Sequence, residues 1–471
     1  MSPLPLSGNE PAAAELADAV DAETFFRERR PTREERRAEG RARRREVPLR
    51  SHATLPTLEE RADPVAVLRR QESTREPALV PLRYSRMSVD PFAFFRGSAA
   101  VMAADLSRLP TSGMRVWLCG DAHLANFGLF ASAERTLVFD LNDFDETLPG
   151  PFDWDVKRLA ASFAIAAGTN GFSDKVARRV SKHAVTSYRA AMASLSTMRT
   201  LDVWYSRLDA DRLRERLRKT SLGKAAVRAS DKSLRRTGDT ALLKLTDTVD
   251  GARRFRSDPP LLVPVTDVEF ERVVDVLAPI WTEYLRTLPP DRHALLRKFS
   301  FVDIARKVVG VGSVGTRAFV MLLESGDGEP LLLQVKQATA SVLEEYLGAS
   351  GFDNHGKRVV VGQRVMQAAG DPFLGWCTGQ DKVNHFYIRQ LWDMKGAFDA
   401  TLMDKDALSV YARLCGGMLA RAHARASSPA AISGYLGKSE DFDDAVAEFS
   451  LGYARITADD HAALAAAIAS S

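Results

Sequence analysis

The run Val308–Thr316 (VVGVGSVGT) is entered from a polar–apolar stretch and left into Ala318–Leu323 (AFVMLL). This glycine-rich turn constrains the fold more than any other feature of the chain. Gly310, Gly312 and Gly315 form a G-x-G-x-x-G pattern, which occurs in dinucleotide-binding turns and in hairpins that cover phosphates. A dinucleotide turn must open a helix after its third glycine. Here Arg317–Leu323 has a β-branched and an aromatic residue at its centre, which predicts a strand. No lysine of the P-loop kind follows the turn, so that alternative is excluded. A third apolar run, Leu331–Val335, ends in Lys336. A charge at the end of a buried strand needs a partner or a ligand. The next segment, Thr339–Tyr346, reads as helical and offers Glu344 or Glu345 as that partner.

A second constellation lies far upstream. Arg115–Cys119 reads as a short strand that runs into Gly120–Gly128 (GDAHLANFG). Asp121 and Asn126 are separated by four residues, as in the catalytic loop of kinases. There one short turn must set a carboxylate at an attacking hydroxyl and an amide oxygen at a magnesium ion. A second strand, Thr136–Phe139, leads to the acidic turn Asp140–Glu146. A carboxylate in this turn would bridge Mg²⁺ to phosphates. Asp140, Asp143 and Asp145 compete for the role. Asp143 is favoured, because Asp155 follows it twelve residues later on a helix spanning about 153–169. His123 is read as a turn residue and Cys119 as core; Arg83, Arg86 and Arg96 are equally suited to an anion or to surface carboxylates.

Together these segments predict an α+β, two-lobed, protein-kinase-like fold with additional helices. Their order is the reverse of the usual one, with the catalytic segment near 121 and the glycine turn near 310, which implies circular permutation of the lobes. The expected division is a charged, mobile arm over 1–45, a large helical lobe over 46–302, a small β-rich nucleotide lobe over 303–395, and returning helices over 396–471. The strand His385–Leu391 would end in a hinge whose backbone meets adenine. Either Pro91–Leu109 or Ala407–Ala426 would be the helix that ordinarily precedes the catalytic loop. The region 175–300 reads as mostly helical, and two further helices, about 440–455 and 457–470, close the chain.

The chain resembles a bacterial family catalogued as domain of unknown function 2252. The resemblance is carried by Cys119–Gly128 (CGDAHLANFG), Phe139–Glu146 (FDLNDFDE), Asp153–Ala160 (DWDVKRLA), Val309–Arg317 (VGVGSVGTR), Gln334–Lys336 and Arg389–Gly396 (RQLWDMKG). It runs from about residue 40 to the C-terminus and implies a kinase-like domain. Aminoglycoside phosphotransferases and choline-type kinases carry a similar metal aspartate with a later aspartate.

The function expected is phosphoryl transfer from ATP with Mg²⁺ to a small-molecule hydroxyl, or to a protein acceptor. Asp121 would be the catalytic base, Asn126 and Asp143 (or Asp140) the metal ligands, and Gly310, Gly312, Gly315, Lys336 and Glu344 the nucleotide contacts. The rivals are a nucleotide-binding pseudokinase scaffold and a nucleotidyl transferase that moves AMP. Charge gives no case for a dedicated nucleic-acid binder. Ten arginines against four glutamates crowd Arg27–Arg45, and the remainder of the chain is slightly negative against a net charge of +4. Glu10, Glu15, Asp18 and Asp21 interrupt any secretory leader, and no apolar run is long enough to span a membrane. Three cysteines without metal spacing fit a reducing cytoplasm.

Overall fold

Helical runs with one apolar stripe flank both ends of the chain, and β-branched runs lie between them. The computed structural model describes residues 22–235, 238–265, 270–391 and 394–470. It is 54% helical and 16% strand, a mixed α and β architecture as expected. The leading helices include α1 (Arg33–Glu46), α2 (Val80–Met87), α3 (Pro91–Gly97) and α4 (Ala99–Leu106). Strands β1 (Arg115–Leu118), β2 (Phe127–Ala131), β3 (Leu137–Leu141) and β4 (Leu148–Pro151) precede the long helices α5 (Phe152–Thr169) and α6 (Asp174–Leu195). Then come β5 (Thr246–Val249), β6 (Ala252–Phe255), β7 (Leu262–Pro264) and α7 (Phe270–Arg286). Next are β8 (Phe299–Lys307), β9 (Ala318–Ser325), β10 (Pro330–Ala338), α8 (His355–Met366), β11 (Gly375–Thr378), β12 (His385–Gln390) and β13 (Gly396–Ala397). Helices α9 (Lys405–Arg425), α10 (Pro429–Leu436) and α11 (Asp441–Ala469) close the chain.

Two packed regions result. A six-stranded antiparallel sheet has the order β11-β12-β10-β9-β8-β7. One face packs Tyr284 and Leu288 against Met321 and Ile388; the other packs Leu242 against Val320 and Leu332. The second region is built on α5, α6, α9 and α11, with Trp117, Phe152, Tyr188 and Tyr411 in its core. Two small sheets, β1-β4 and β13-β2-β3, border that core and hold the 119–126 loop between β1 and β2.

Several boundaries differ from the sequence reading. The sheet begins before 303: β7 pairs with β8, with Leu262 opposite Lys307, and α7 covers β11. The stretch 175–300 therefore holds three strands that short, charged runs had concealed. Pro91–Leu109 is two helices, not one. The Gly97 carbonyl accepts from Arg83 at 3.1 Å instead of continuing the helix, and Gly97–Ser98 is a weak helix-forming pair. The charged arm is folded from Thr32 onward. Thr32 and Glu35 form a reciprocal capping box, and α1 lies backbone to backbone on α10. A Cβ on Gly434 would fall 2.3 Å from the Arg37 carbonyl oxygen. Residues 1–21 lie outside the described residues, as do Trp392 and Asp393. The last two expected helices are one continuous helix, α11.

Candidate functional site

The 119–126 loop is held from below by α5. This helix carries a ladder of polar groups on an otherwise apolar surface, with Asp155, Arg158 and Ser162 at successive turns of one face. Asp155 accepts the backbone N–H of Cys119 (2.7 Å) and of Gly120 (3.0 Å). Arg158 Nε donates to Asp121 Oδ1 at 2.5 Å, and the same guanidinium reaches the Phe95 carbonyl at 2.8 Å. Ser162 Oγ accepts from Leu124 N at 3.0 Å. The loop is thus anchored through the backbone amides of Cys119, Gly120 and Leu124, while Asp121 lines a cavity. Gly120 is obligatory here: its φ is +82°, and a Cβ would sit 2.1 Å from the Glu146 carbonyl oxygen.

Within the loop, Asn126 Nδ2 donates to the Asp121 carbonyl at 2.7 Å, so its amide oxygen is not used by that bond. Asp121 Oδ2 lies 3.7 Å from His123 Nε2. Burial pulls His123 down to about 4, so its ring is neutral at neutral pH and is no proton donor there. Burial raises the Cys119 thiol well above its usual range; Cys119 is core, with Sγ bonded to the Asp143 carbonyl.

Opposite the loop, the buried Lys336 of β10 binds Asp145 and lies 3.8 Å from Asp143. Burial opposes its charge, but Asp143 and Asp145 outweigh that and hold it protonated. Burial likewise opposes ionisation of Asp143, yet Lys336, Arg389 and Lys395 together bring it to about 2. Asp143 is therefore a carboxylate at any ordinary pH, and its buried Oδ1 has no hydrogen-bond donor among the described residues. Tyr387 of β12 donates to Asp145 Oδ1 at 2.8 Å. Arg389 bridges Gln334 (3.1 Å) and the Asn142 carbonyl (3.3 Å).

The glycine turn between β8 and β9 closes over these groups. Gly310 (φ +70°) and Gly315 (φ +91°) adopt left-handed backbone, and Gly312 passes so near the Arg96 carbonyl that a Cβ would lie 3.0 Å from it. Side chains from the leading helical segment hold the turn. Arg86 donates to the Gly310 carbonyl at 2.6 Å and Arg75 to the Val314 carbonyl at 2.5 Å, while Glu76 N donates to the Gly315 carbonyl at 2.8 Å. Ser313 Oγ is 3.4 Å from Asp145.

Two cavities meet under the turn. The larger, about 550 Å³, runs from Val309 and Gly310 past Lys336 and Arg389 to Gln390, Leu391 and Ala397. The smaller, about 120 Å³, is lined by Asp121, His123, Gln71, Arg75 and the turn. Arg96, Asn126, Asp143, Gly310 and Ser313 border both. Asp121, Asn126, Asp143, Lys336 and the glycine turn, from segments some 200 residues apart in sequence, thus converge on one place.

Two sequence-expected residues do not converge. Asp140 points away from the cavities: it is 3% exposed, and both its oxygens accept from Arg421 of α9 at 2.5 and 2.6 Å. It has no capacity left for a metal. Glu344 is not the partner of Lys336. It accepts from Ser341 N (2.9 Å) and Ser350 N (3.0 Å) and lies 3.7 Å from Arg358. The stretch after β10 makes only a single helical turn, so Glu344 is carried away from the lysine. Other participants escaped the sequence reading. Arg158 was signalled by a charge pair on an apolar helix, three residues after Asp155. Nothing local marks Tyr387, or His423, whose Nε2 meets Asp155 at 3.1 Å from the far end of the chain.

A family model described as an uncharacterized protein conserved in bacteria (DUF2252) matches residues 75–467. No curated protein matches the chain, and no solved structure does. The matched span takes in the 119–126 loop, the acidic turn, the α5 ladder, the glycine turn and Lys336. Covering well over half of the chain, it places this protein in that bacterial family.

Proposed function

We propose that the protein is an ATP- and Mg²⁺-dependent phosphotransferase of kinase-like design, acting on a hydroxyl acceptor. The observation that carries the reading is the shared wall of the two cavities, where Asn126 and Asp143 stand between Asp121 on one side and Lys336 on the other. Phosphoryl transfer needs this division: nucleotide in one compartment, acceptor in the other, and charge neutralisation at the boundary. The sheet supports it too. Strands β8, β9 and β10 form a meander, the glycine turn joins the first two, Lys336 lies on the third, and α8 links β10 to β11. In a permuted chain, α9 would be the helix that ordinarily enters the catalytic loop, since Tyr411 donates to the Leu124 carbonyl (2.8 Å) and His423 meets Asp155.

In this reading the nucleotide lies in the larger cavity under the glycine turn, with Lys336 at its phosphates. Asp143, ionised and with an oxygen that accepts no hydrogen bond from any described residue, and the Asn126 amide oxygen would hold Mg²⁺. Magnesium takes one or two protein ligands and fills the rest from phosphate and water, so no larger cluster of acidic residues is required. Asp121 takes the proton of the acceptor hydroxyl as the new P–O bond forms and the bond to ADP breaks. Arg158 fixes one oxygen of Asp121 and leaves the other for the proton.

One observation favours a nucleotide-binding scaffold instead: Lys336 is engaged by two aspartates rather than by a helix glutamate. A thermal-shift titration with ATP, with and without Mg²⁺, tests both readings on wild type and Asp143→Ala. Phosphotransfer expects a magnesium-dependent rise that Asp143→Ala abolishes. Asp121→Asn should keep the rise and lose at least a hundredfold in turnover. Binding without any turnover in wild type would select the scaffold, and release of pyrophosphate rather than ADP would select nucleotidyl transfer. No rise at saturating nucleotide would end the nucleotide reading.

A further inference from the structure

The smaller cavity holds an unusual balance of charge. Each carboxylate in its wall has its own compensation. Asp121 is paired with Arg158, Asp145 with Lys336, and Asp143 is drawn to about 2 by Lys336, Arg389 and Lys395 against the opposing effect of burial. Glu146 accepts from Val342 N at 2.8 Å, and burial raises its carboxyl toward the neutral form. Two arginines in the same wall lie in the field of these carboxylates, Arg96 near Asp121 and Asp143 and Arg75 near Glu146 and Asp145, yet each keeps a buried donor without a hydrogen-bond partner among the described residues. Arg96 makes no hydrogen bond and no ion pair to any described residue, and its Nε is buried without a partner. Arg75 spends one donor on the Val314 carbonyl, and its Nε is also buried, with no hydrogen-bond partner among the described residues. A half-buried guanidinium whose buried Nε lacks an acceptor costs stability unless something outside the chain completes it. Arginine's planar fork matches a carboxylate or a phosphate.

The location decides which anion. Arg75 and Gln71 line only the smaller cavity, on the Asp121 side, and Arg96 stands at the junction. The nucleotide's phosphates in the larger cavity already have Lys336 and the glycine turn. At about 120 Å³ the smaller cavity suits a compact group and not a folded protein loop. We propose that this cavity is the acceptor site and that Arg96, backed by Arg75, binds an oxyanion (carboxylate or phosphate) carried by a small hydroxyl compound. This deepens the phosphotransferase reading and rests on it. The anion anchors the acceptor at one end and presents its hydroxyl to Asp121 at the other. Arg96 is a binding residue in this scheme; the proton still goes to Asp121.

Inorganic phosphate is the probe. Its dissociation constant is measured by calorimetry on the full chain, at constant ionic strength, with and without saturating Mg-ADP. The variants are Arg96→Ala and Arg96→Lys, whose folding is checked by their melting temperatures. The expected result is phosphate binding that persists beside Mg-ADP, weakens at least tenfold in Arg96→Ala and recovers in part in Arg96→Lys. Phosphate that does not bind, or binds Arg96→Ala as well as wild type, overturns the inference and leaves the phosphotransferase reading intact. Phosphate displaced by Mg-ADP overturns it as well, because the arginines would then serve the nucleotide. If Mg-ATP fails to bind while phosphate binding still depends on Arg96, the phosphotransferase reading falls and the anion site alone survives.

Discussion

Asp155 has more consequences than any other single side chain outside the cavities. It accepts two consecutive loop amides and meets His423, whose other ring nitrogen contacts Tyr188 OH at 2.9 Å. Replacing it by alanine orphans two buried N–H groups at the base of the loop. Asp155→Ala is therefore expected to lose about 2–5 kcal/mol of unfolding free energy. It should also lose any function that depends on the position of Asp121. Urea denaturation checks the first part; a loss within 0.5 kcal/mol of zero, the ordinary range for surface changes, would show that the loop stands without its anchor.

At the level of elements, α9 ties the C-terminal part of the chain to the loop and to β3. Tyr411, Arg421 and His423 project from it onto the Leu124 carbonyl, Asp140 and Asp155. Arg421 and Asp140 are a buried pair, with 5% and 4% of their side chains exposed. Removing one member strands a charge, whereas removing both does not. Arg421→Met is expected to cost about 3–5 kcal/mol, and Asp140→Asn combined with it should restore much of that loss. A double-mutant cycle measures the coupling. If the double variant were as unstable as the sum of the two singles, the pair would not be the source of the cost.

For the whole molecule, stability should depend on pH through histidines that are buried uncharged. Burial brings His52 to about 4 from 6.5, and does the same to His123. Below pH 6.5 the unfolded chain takes up these protons and the folded chain refuses them. Stability is thus full above 6.5 and falls as the pH drops toward 4, by up to about 3 kcal/mol for each group. Asp143 adds a later loss, because its folded value of about 2 lies below the ordinary 3.8. The urea midpoint should therefore decline between pH 7 and pH 4.5, and decline less steeply in His52→Gln. A flat profile in wild type would contradict the assignment of neutral buried rings.

The sequence by itself determined the elements whose cause is local. Glycines at 310 and 315 accept left-handed backbone, apolar runs on both sides make strands, and the short interval from Asp121 to Asn126 keeps both on one turn. It also singled out Lys336 as a charge at the end of an apolar strand, and Asp143 by the Asp155 that follows it twelve residues later. What it left undecided needs contacts between distant segments. Which aspartate of the acidic turn is free depends on Arg421, about 280 residues away, which claims Asp140. Lys336 finds Asp145 instead of Glu344 because the chain after β10 bends back on itself within one turn. Both candidate helical segments meet the loop, α9 through Tyr411 and His423 and α3 through Phe92, which packs edge-on against His123. The arginine-rich segment read as a solvated tail, since its composition is indistinguishable from one; Gly40 and Gly434, which let two helix backbones touch, seat it on α10. Local propensity is written residue by residue, but the pairing of a buried charge is settled only by what the fold brings beside it.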